Sequence, residues 1–419
     1  MTGNCLKSIM PDSLTGAVFA LEGMRNTVVL LNGPMGCRFY HSTTSRFLLP
    51  RPLLRLPTGE TGERALVDYH TLNDWFFRQE RVPCTSLDGF DYVYGTKEKV
   101  EGALSYIRDS VEFDLLAIIN APGASLIGDD LREIARSILG ERPTVTVETP
   151  GLSLSFEEGW SRAALALLEQ VGTELWRERV PERRTEKRVN LLGLSIWQRY
   201  FEGDLAELRR LFALCGIEVN TALCADSSVD ELAQMPDADL NVVLDAEAGI
   251  AAAQYFERMY GMPYFVCPGF PIGFSATERM FGQIGEILGV SCRPLLEESE
   301  RSRAFAWYKI DQVYSASGKP RGVLFFVDGS AAQKQAYGSF LTEYLGMEPS
   351  EPEQAELVFG DANIISELML KNRRFCGIEI RLPGMGYIDL IPKTHMGIRG
   401  SLFLIEQVLN GLMSRLQDE

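Results

Sequence analysis

Three times along the chain a short apolar run ends on a glycine-bearing turn and gives way to a helix-forming stretch. The runs are Val28–Leu31 before Asn32-Gly33-Pro34, VNLLG at 189–193, and VLFFVDGS at 323–330. Each is too short for a buried helix and is bounded by a turn, so each reads as a buried strand. Helical and strand segments alternate between them. Asp114–Asn120 leads to a helix at Asp130–Leu139 and a strand at Thr144–Glu148. A helix at Asp204–Leu214 leads to strands at Glu218–Thr221 and Ala238–Leu244, a helix at Ala246–Tyr260 and the segment Met262–Cys267. Such βαβα alternation is the signature of parallel sheets covered by helices. The segment 38–80, with its Pro- and Arg-rich RFLLPRPLLRLP, is expected to be irregular, and Asp91–Tyr94 to be a short strand. The fold class expected is therefore α/β, with three Rossmann-like parallel-sheet units. At 419 residues one core is too few. The expected division is 1–185, 186–310 and 311–400, with a C-terminal helix at 401–419 packing back on the body. The charged stretch Arg177–Arg188 forms the first linker.

Cys37 carries the first chemical signal. It follows the strand-ending Gly33 and stands directly after Gly36, a position from which a thiol can reach a metal cluster. A buried cysteine on a turn is the plain alternative. Nucleotide fingerprints are missing: there is no GxxxxGK[ST] and no GxGxxG, so the chain is not itself a P-loop ATPase or a typical nicotinamide binder. The motifs GxSxG and HExxH are absent as well. A net charge of −16 argues against nucleic acid or an anionic membrane as partner. No apolar run is long enough to span a bilayer, and the first residues lack the apolar core of a signal peptide. A cytoplasmic location is expected. Eight cysteines with no CxxC pair then mean buried thiols plus a few ligands rather than a disulfide framework. Only three histidines, His41, His70 and His395, leave little room for a His-rich metal centre.

Six stretches, in one order, carry a family resemblance. They are SLTGAVFALEGMRNTVVLLNGPMGC, FDYVYGTKEKVEGAL, LLAIINAPGASLIGDDL, VNLLG with GDLAELRRLFALCGIEVN, YGMPYFVCPGFPIGFSATERM, and HMGIRGSLFLIEQVLNGL. Together they resemble the component 1 subunits of nitrogenase and nitrogenase-like reductases, a group that includes dark-operative protochlorophyllide reductase and nickel-sirohydrochlorin reductive cyclase. The resemblance implies three α/β domains around a central cleft, in a homodimer or a heterodimer with a homologous subunit. It implies an iron–sulfur cluster, [4Fe–4S], near the subunit interface, and low-potential electrons from a separate ATP-driven P-loop iron–sulfur reductase. It also implies handling under anaerobic conditions. Soft thiolate donors suit such clusters.

The resemblance places ligands residue by residue. Cys37, flanked by Gly33 and Gly36, matches the family's turn cysteine, and Cys5 matches its first cysteine. The third cysteine, before IGDD, is missing; Pro122 or a neighbour stands there. Cys84, in VPCTSLDGF, either supplies that thiolate or is unrelated to the site. Cys215, Cys224, Cys267, Cys292 and Cys376 sit in apolar contexts and read as core thiols, with Cys267 in VCPGFPIG the one beside the cleft. Asp245 takes the place of the cysteine that holds the nitrogenase active-site cofactor, and RLPGMGYIDL lacks the corresponding histidine. Dinitrogen reduction is not expected. A tetrapyrrole or other small reducible molecule would not need those ligands. Asp245 is then either a proton donor or a solvent-facing strand-end carboxylate. His395 reads as a helix-entry or surface histidine. The function implied is a nitrogenase-like oxidoreductase subunit; the alternative is a non-catalytic scaffold or cofactor-assembly subunit of the same family.

Overall fold

The computed structural model describes residues 11–38, 53–58, 63–68, 82–177, 185–371, 374–384 and 389–417. In chain order its strands are β1 (Thr27–Asn32), β2 (Leu53–Thr58), β3 (Glu63–Asp68), β4 (Val111–Glu112), β5 (Leu115–Asn120), β6 (Thr144–Glu148), β7 (Lys187–Leu192), β8 (Ile217–Ala222), β9 (Leu240–Val243), β10 (Tyr264–Val266), β11 (Leu324–Val327), β12 (Glu348–Pro349), β13 (Leu357–Gly360) and β14 (Cys376–Glu379). Among the described residues they form three parallel sheets, ordered β1-β5-β6, β10-β9-β7-β8 and β12-β11-β13-β14. This is the fold class read from the sequence.

The first sheet shows why the chain folds so. TVVLLN pairs with LLAIIN in register from Thr27↔Leu115 to Asn32↔Asn120, and every residue of both strands is buried. Alternate residues feed opposite cores. Val28, Leu30, Leu116 and Ile118 meet residues of the helices Lys97–Ser110 and Leu131–Leu139. Val29, Leu31, Ala117 and Ile119 meet those of Ser13–Glu22 and Phe156–Leu167. A strand buried on both faces has to be apolar throughout.

Two expectations are corrected. Asp91–Tyr94 is a turn of helix, not a strand. Asp88 starts it, its carboxylate accepting from Phe90 N at 2.8 Å, while Asp91 accepts from Asp88 N at 2.7 Å. The Pro- and Arg-rich segment is not wholly irregular: β2 and β3 pair antiparallel and β2 continues onto β4. Residue 310 lies inside one long helix, Arg293–Ser317. The C-terminal helix Gly397–Gln417 packs against that helix, against Phe201–Leu214 of the second unit and against β14 of the third.

Candidate functional site

The first sheet ends on polar side chains that hold one another. Asn32 Nδ2 donates to Asn120 Oδ1 (2.8 Å), and Asn120 Nδ2 donates to Glu148 Oε1 (2.7 Å). Just beyond, Gly33 turns the chain; a Cβ there would lie 2.6 Å from that of Ala121, so no larger residue fits. The turn continues as a single 3₁₀ stretch, Met35–Arg38, carrying Cys37. Gly36 faces open space.

Cys84 arrives beside it. Residues 83–87 run along the end of β1, with Leu31 N donating to Pro83 O (2.9 Å), Thr85 N to Leu31 O (3.0 Å) and Leu87 N to Gly33 O (3.0 Å). The Cys84 thiol donates to Gly33 O (3.0 Å) and accepts from Ser86 N (3.3 Å). Burial pushes the Cys37 thiol up, and the nearby Cys84 and Asp12 push it the same way. The Tyr92 hydroxyl is raised by burial and then by both thiols. Two sulfurs thus share one rim, where their mutual repulsion as thiolates would be relieved by a bound cation. Cys5 lies outside the described residues. Pro122, at the position of the family's third cysteine, opens the short helix Pro122–Ser125 and supplies no donor. Among the described residues no group of three or more His, Cys, Asp and Glu is arranged to hold a metal ion. The donor set fits an iron–sulfur cluster in kind and, within the described residues, stops at two thiols.

Around that rim the surface is apolar and exposed. Met35, Phe90, Val93 and Tyr94 stand out into solvent, as do Leu126 and Leu152 at 89% and 84% exposure. They are neighbours: Tyr92 abuts Gly123, and Gly151 abuts Pro122.

Asp245 lies elsewhere, at the junction of the three units. It is buried, not solvent-facing, and its carboxylate caps the helix Ala246–Tyr260 by accepting from Glu247 N (3.0 Å). Ser330 of the third unit donates to Asp245 Oδ2 (3.3 Å). Gly193, at φ 83°, lets the backbone pass so close that a Cβ would fall 2.7 Å from Asp245 O. Burial raises the Asp245 pKa to about 6, helped by Glu157 of the first unit and by Glu247. Glu157 is itself raised by burial, with Arg381 acting against the shift. Arg381 holds Asp328 (2.6 Å) and Asp361 (3.3 Å).

The remaining cysteines divide as expected in part. Cys215, Cys224, Cys267 and Cys292 are buried, and Cys376 is half-buried. Burial pushes Cys267 to about 12, which keeps it a protonated core thiol. His395 is at a helix entry as expected but buried, with Nδ1 2.7 Å from the Tyr337 hydroxyl. The buried Asp204 beside it went unread. Its signal was positional: it shares a helix face with Leu208 and Leu211, at spacings of four and seven.

Residues 13–351 match the family model described as nitrogenase component 1 type oxidoreductase. The chain belongs to that family. Among its relatives is a light-independent protochlorophyllide reductase subunit from Synechococcus sp. (strain CC9605), 29% identical over 293 residues, covering 67% of this chain and 53% of the relative. Another of that description, from Bradyrhizobium sp. (strain ORS 278), is 27% identical over 306 residues, covering 71% and 56%. The chain thus spans about half the length of these relatives. A solved structure titled nitrogenase Cp1 at pH 6.5 superposes with a TM-score of 0.69 at 16% identity, over 96% of this chain and 92% of that one. This likeness extends to the fold.

Proposed function

We propose that the chain is a catalytic component 1-type subunit that takes low-potential electrons from an ATP-dependent P-loop iron–sulfur reductase and reduces a small molecule or tetrapyrrole rather than dinitrogen. Relatives named as protochlorophyllide reductase subunits favour a tetrapyrrole. Cys37, Cys84 and Cys5 would hold one [4Fe–4S] cluster, and the remaining ligand would come from a second subunit, identical or homologous, or from a non-cysteine side chain. When bound, such a cluster supplies one-electron transfer at low potential. Gly33 and Gly36 shape the turn that presents Cys37. Ser86 N donates to the Cys84 sulfur, and a hydrogen bond of that kind tunes a cluster's potential. Asp245 would hold a proton in the cleft and give it to the reduced substrate. The carrying observation is the pairing of Cys37 and Cys84 on a rim ringed by exposed apolar side chains. A patch of that kind marks an interaction surface.

The test is anaerobic purification followed by iron and acid-labile sulfide analysis of the wild type, Cys37→Ala and Cys84→Ala. Wild-type iron and sulfide, lost from both variants with the fold retained, supports the reading. Full iron in Cys37→Ala refutes the assignment. The second reading, a scaffold or cofactor-assembly subunit, is favoured by Pro122 standing where the family has a cysteine. It predicts a wild-type chain that binds no cluster by itself yet still associates with a homologous subunit.

A further inference from the structure

A cavity of ≈ 10 Å³ lies where the second and third units meet the C-terminal helix. That is about the room one water molecule takes. Its polar wall is made by Gln198, Tyr200, Asp204, Gln333, Tyr337 and His395. Asp204 Oδ1 accepts from Thr394 Oγ1 (2.7 Å), His395 N (2.9 Å) and Met396 N (3.1 Å). All three bonds end on Oδ1, so Oδ2 has no donor among the described residues. Gln198 Oε1 is buried without a hydrogen-bond partner, on a residue 9% exposed. The Tyr200 hydroxyl accepts from Gln407 Nε2 (3.0 Å), which leaves its own proton to give.

The groups behind this wall are fixed. His395 Nε2 lies 2.6 Å from Gln407 Oε1. An amide oxygen only accepts, so Nε2 carries the proton and Nδ1 accepts from Tyr337. Burial lowers the His395 pKa to about 4, so the ring is neutral at pH 7.

We propose that the cavity is a proton-holding site: one water bound between Asp204 Oδ2, Gln198 Oε1 and the Tyr200 hydroxyl, with Asp204 as the group that carries the exchangeable proton. The water accepts from Tyr200 and donates to Gln198 and to the carboxylate. Three partners are what a buried water typically has. When Asp204 is protonated, its O–H bond breaks as a new O–H bond forms on the water. The water in turn releases one of its own protons to solvent water, which takes it up as hydronium, and no electrons move. Three donors on Oδ1 stabilise the carboxylate left behind. Burial nonetheless raises the Asp204 pKa to about 6, and Glu207 on the same helix raises it further. The other titratable groups facing it are Tyr200, Tyr337 and His395; Arg210 offsets Glu207 (2.8 Å).

One helix start adjoins both this cavity and Asp245. Ser330, which donates to Asp245, caps the helix Ala331–Ser339 by accepting from Gln333 N (3.2 Å), and Gln333 lines the cavity. Reducing a carbon–carbon double bond takes two electrons and two protons, and the two buried carboxyl groups would supply one proton each. That use rests on the reductase reading above; the water and the titrating carboxyl do not.

The test is a high-resolution crystal structure of the full chain together with an infrared pH titration of its carboxyl bands. A water within hydrogen-bond distance of Asp204, Gln198 and Tyr200 is expected. So is a buried carboxylic band titrating near pH 6 that Asp204→Asn removes and Asp245→Asn leaves. Asparagine keeps the Oδ1 acceptor, so the 394–396 loop stays anchored. Gln198→Leu should expel the water and move that titration upward by about one pH unit, the worth of one hydrogen bond. A dry cavity in the wild type, or an Asp204→Asn variant with every titrating band intact, overturns the proposal. None of these readouts needs a cluster or a substrate. A wild type without iron would sink the redox reading alone, and a dry cavity in an iron-loaded chain would sink this site alone.

Discussion

Ser330 of the third unit donates its hydroxyl proton to Asp245 of the second across 3.3 Å, a side-chain hydrogen bond between two units that also share backbone bonds from Arg199 N to Ile380 O and from Leu382 N to Trp197 O. The serine caps one helix and the aspartate caps another, with its N-terminus at the same point. Neither carboxylate oxygen can withdraw into water, because Asp245 is 4% exposed.

Asp245→Asn should change how stability depends on pH. The folded-state pKa is raised to about 6, so the folded chain binds the proton more tightly than the unfolded chain does. The stabilisation is full below about pH 4 and is lost as pH rises towards 6. The variant should flatten this slope and be more stable than wild type at pH 8, by roughly 2–3 kcal/mol. Asparagine remains a good N-cap. Urea titrations at pH 4 and pH 8 check it; a variant no more stable at pH 8 would contradict the assignment.

Gly193→Ala should destabilise the chain by at least about 2 kcal/mol. The new Cβ would meet Asp245 backbone atoms at 2.7 and 2.9 Å, at a φ of 83° that side chains rarely adopt. Thermal unfolding gives the number, and the Asp245 carboxyl band should shift with it.

Val93→Asp together with Leu126→Asp should abolish association with a second subunit while leaving the fold intact. Both side chains are exposed on the rim beside Cys37 and Cys84, and neither contributes to a core. Sedimentation of wild type and variant, with circular dichroism for the fold, decides it. An unchanged oligomer would place the interface elsewhere.

Ser155→Ala removes a capping box, in which Ser155 Oγ accepts from Glu158 N (3.2 Å) and Glu158 accepts from Ser155 N (2.9 Å). A loss of about 1 kcal/mol is expected, measurable as a lowered Tm.

The three-unit fold was legible because apolar strands buried on both faces leave continuous runs such as TVVLLN and LLAIIN. Asp91–Tyr94 misled because DYVY has strand-forming residues, while its conformation is set by Asp88 and Asp91 side chains bonding back to the backbone. The hairpin at 53–68 was hidden for another reason. Its partner β4 lies more than forty residues on, and nothing local announces the pairing. The placement of Cys37 at a strand end was readable; its meeting with Cys84 depended on residues 83–87 running along β1. Asp204 was the harder case. A carboxylate on an apolar face looks like an ordinary exposed position until the loop 394–396, nearly two hundred residues away, supplies its donors.

The helix Gly397–Gln417 and the loop before it supply Thr394, His395, Met396 and Gln407 to the wall shared by the second and third units. Those residues follow all three sheets in the chain. During synthesis the sheets can form in turn as they emerge from the ribosome. The wall between them is complete only once residues 394–396 are in place. A nascent chain stalled before residue 394 would lack all three donors to Asp204 Oδ1 and the imidazole that faces the Tyr337 hydroxyl, so two buried polar groups of that wall wait on the segment for their partners.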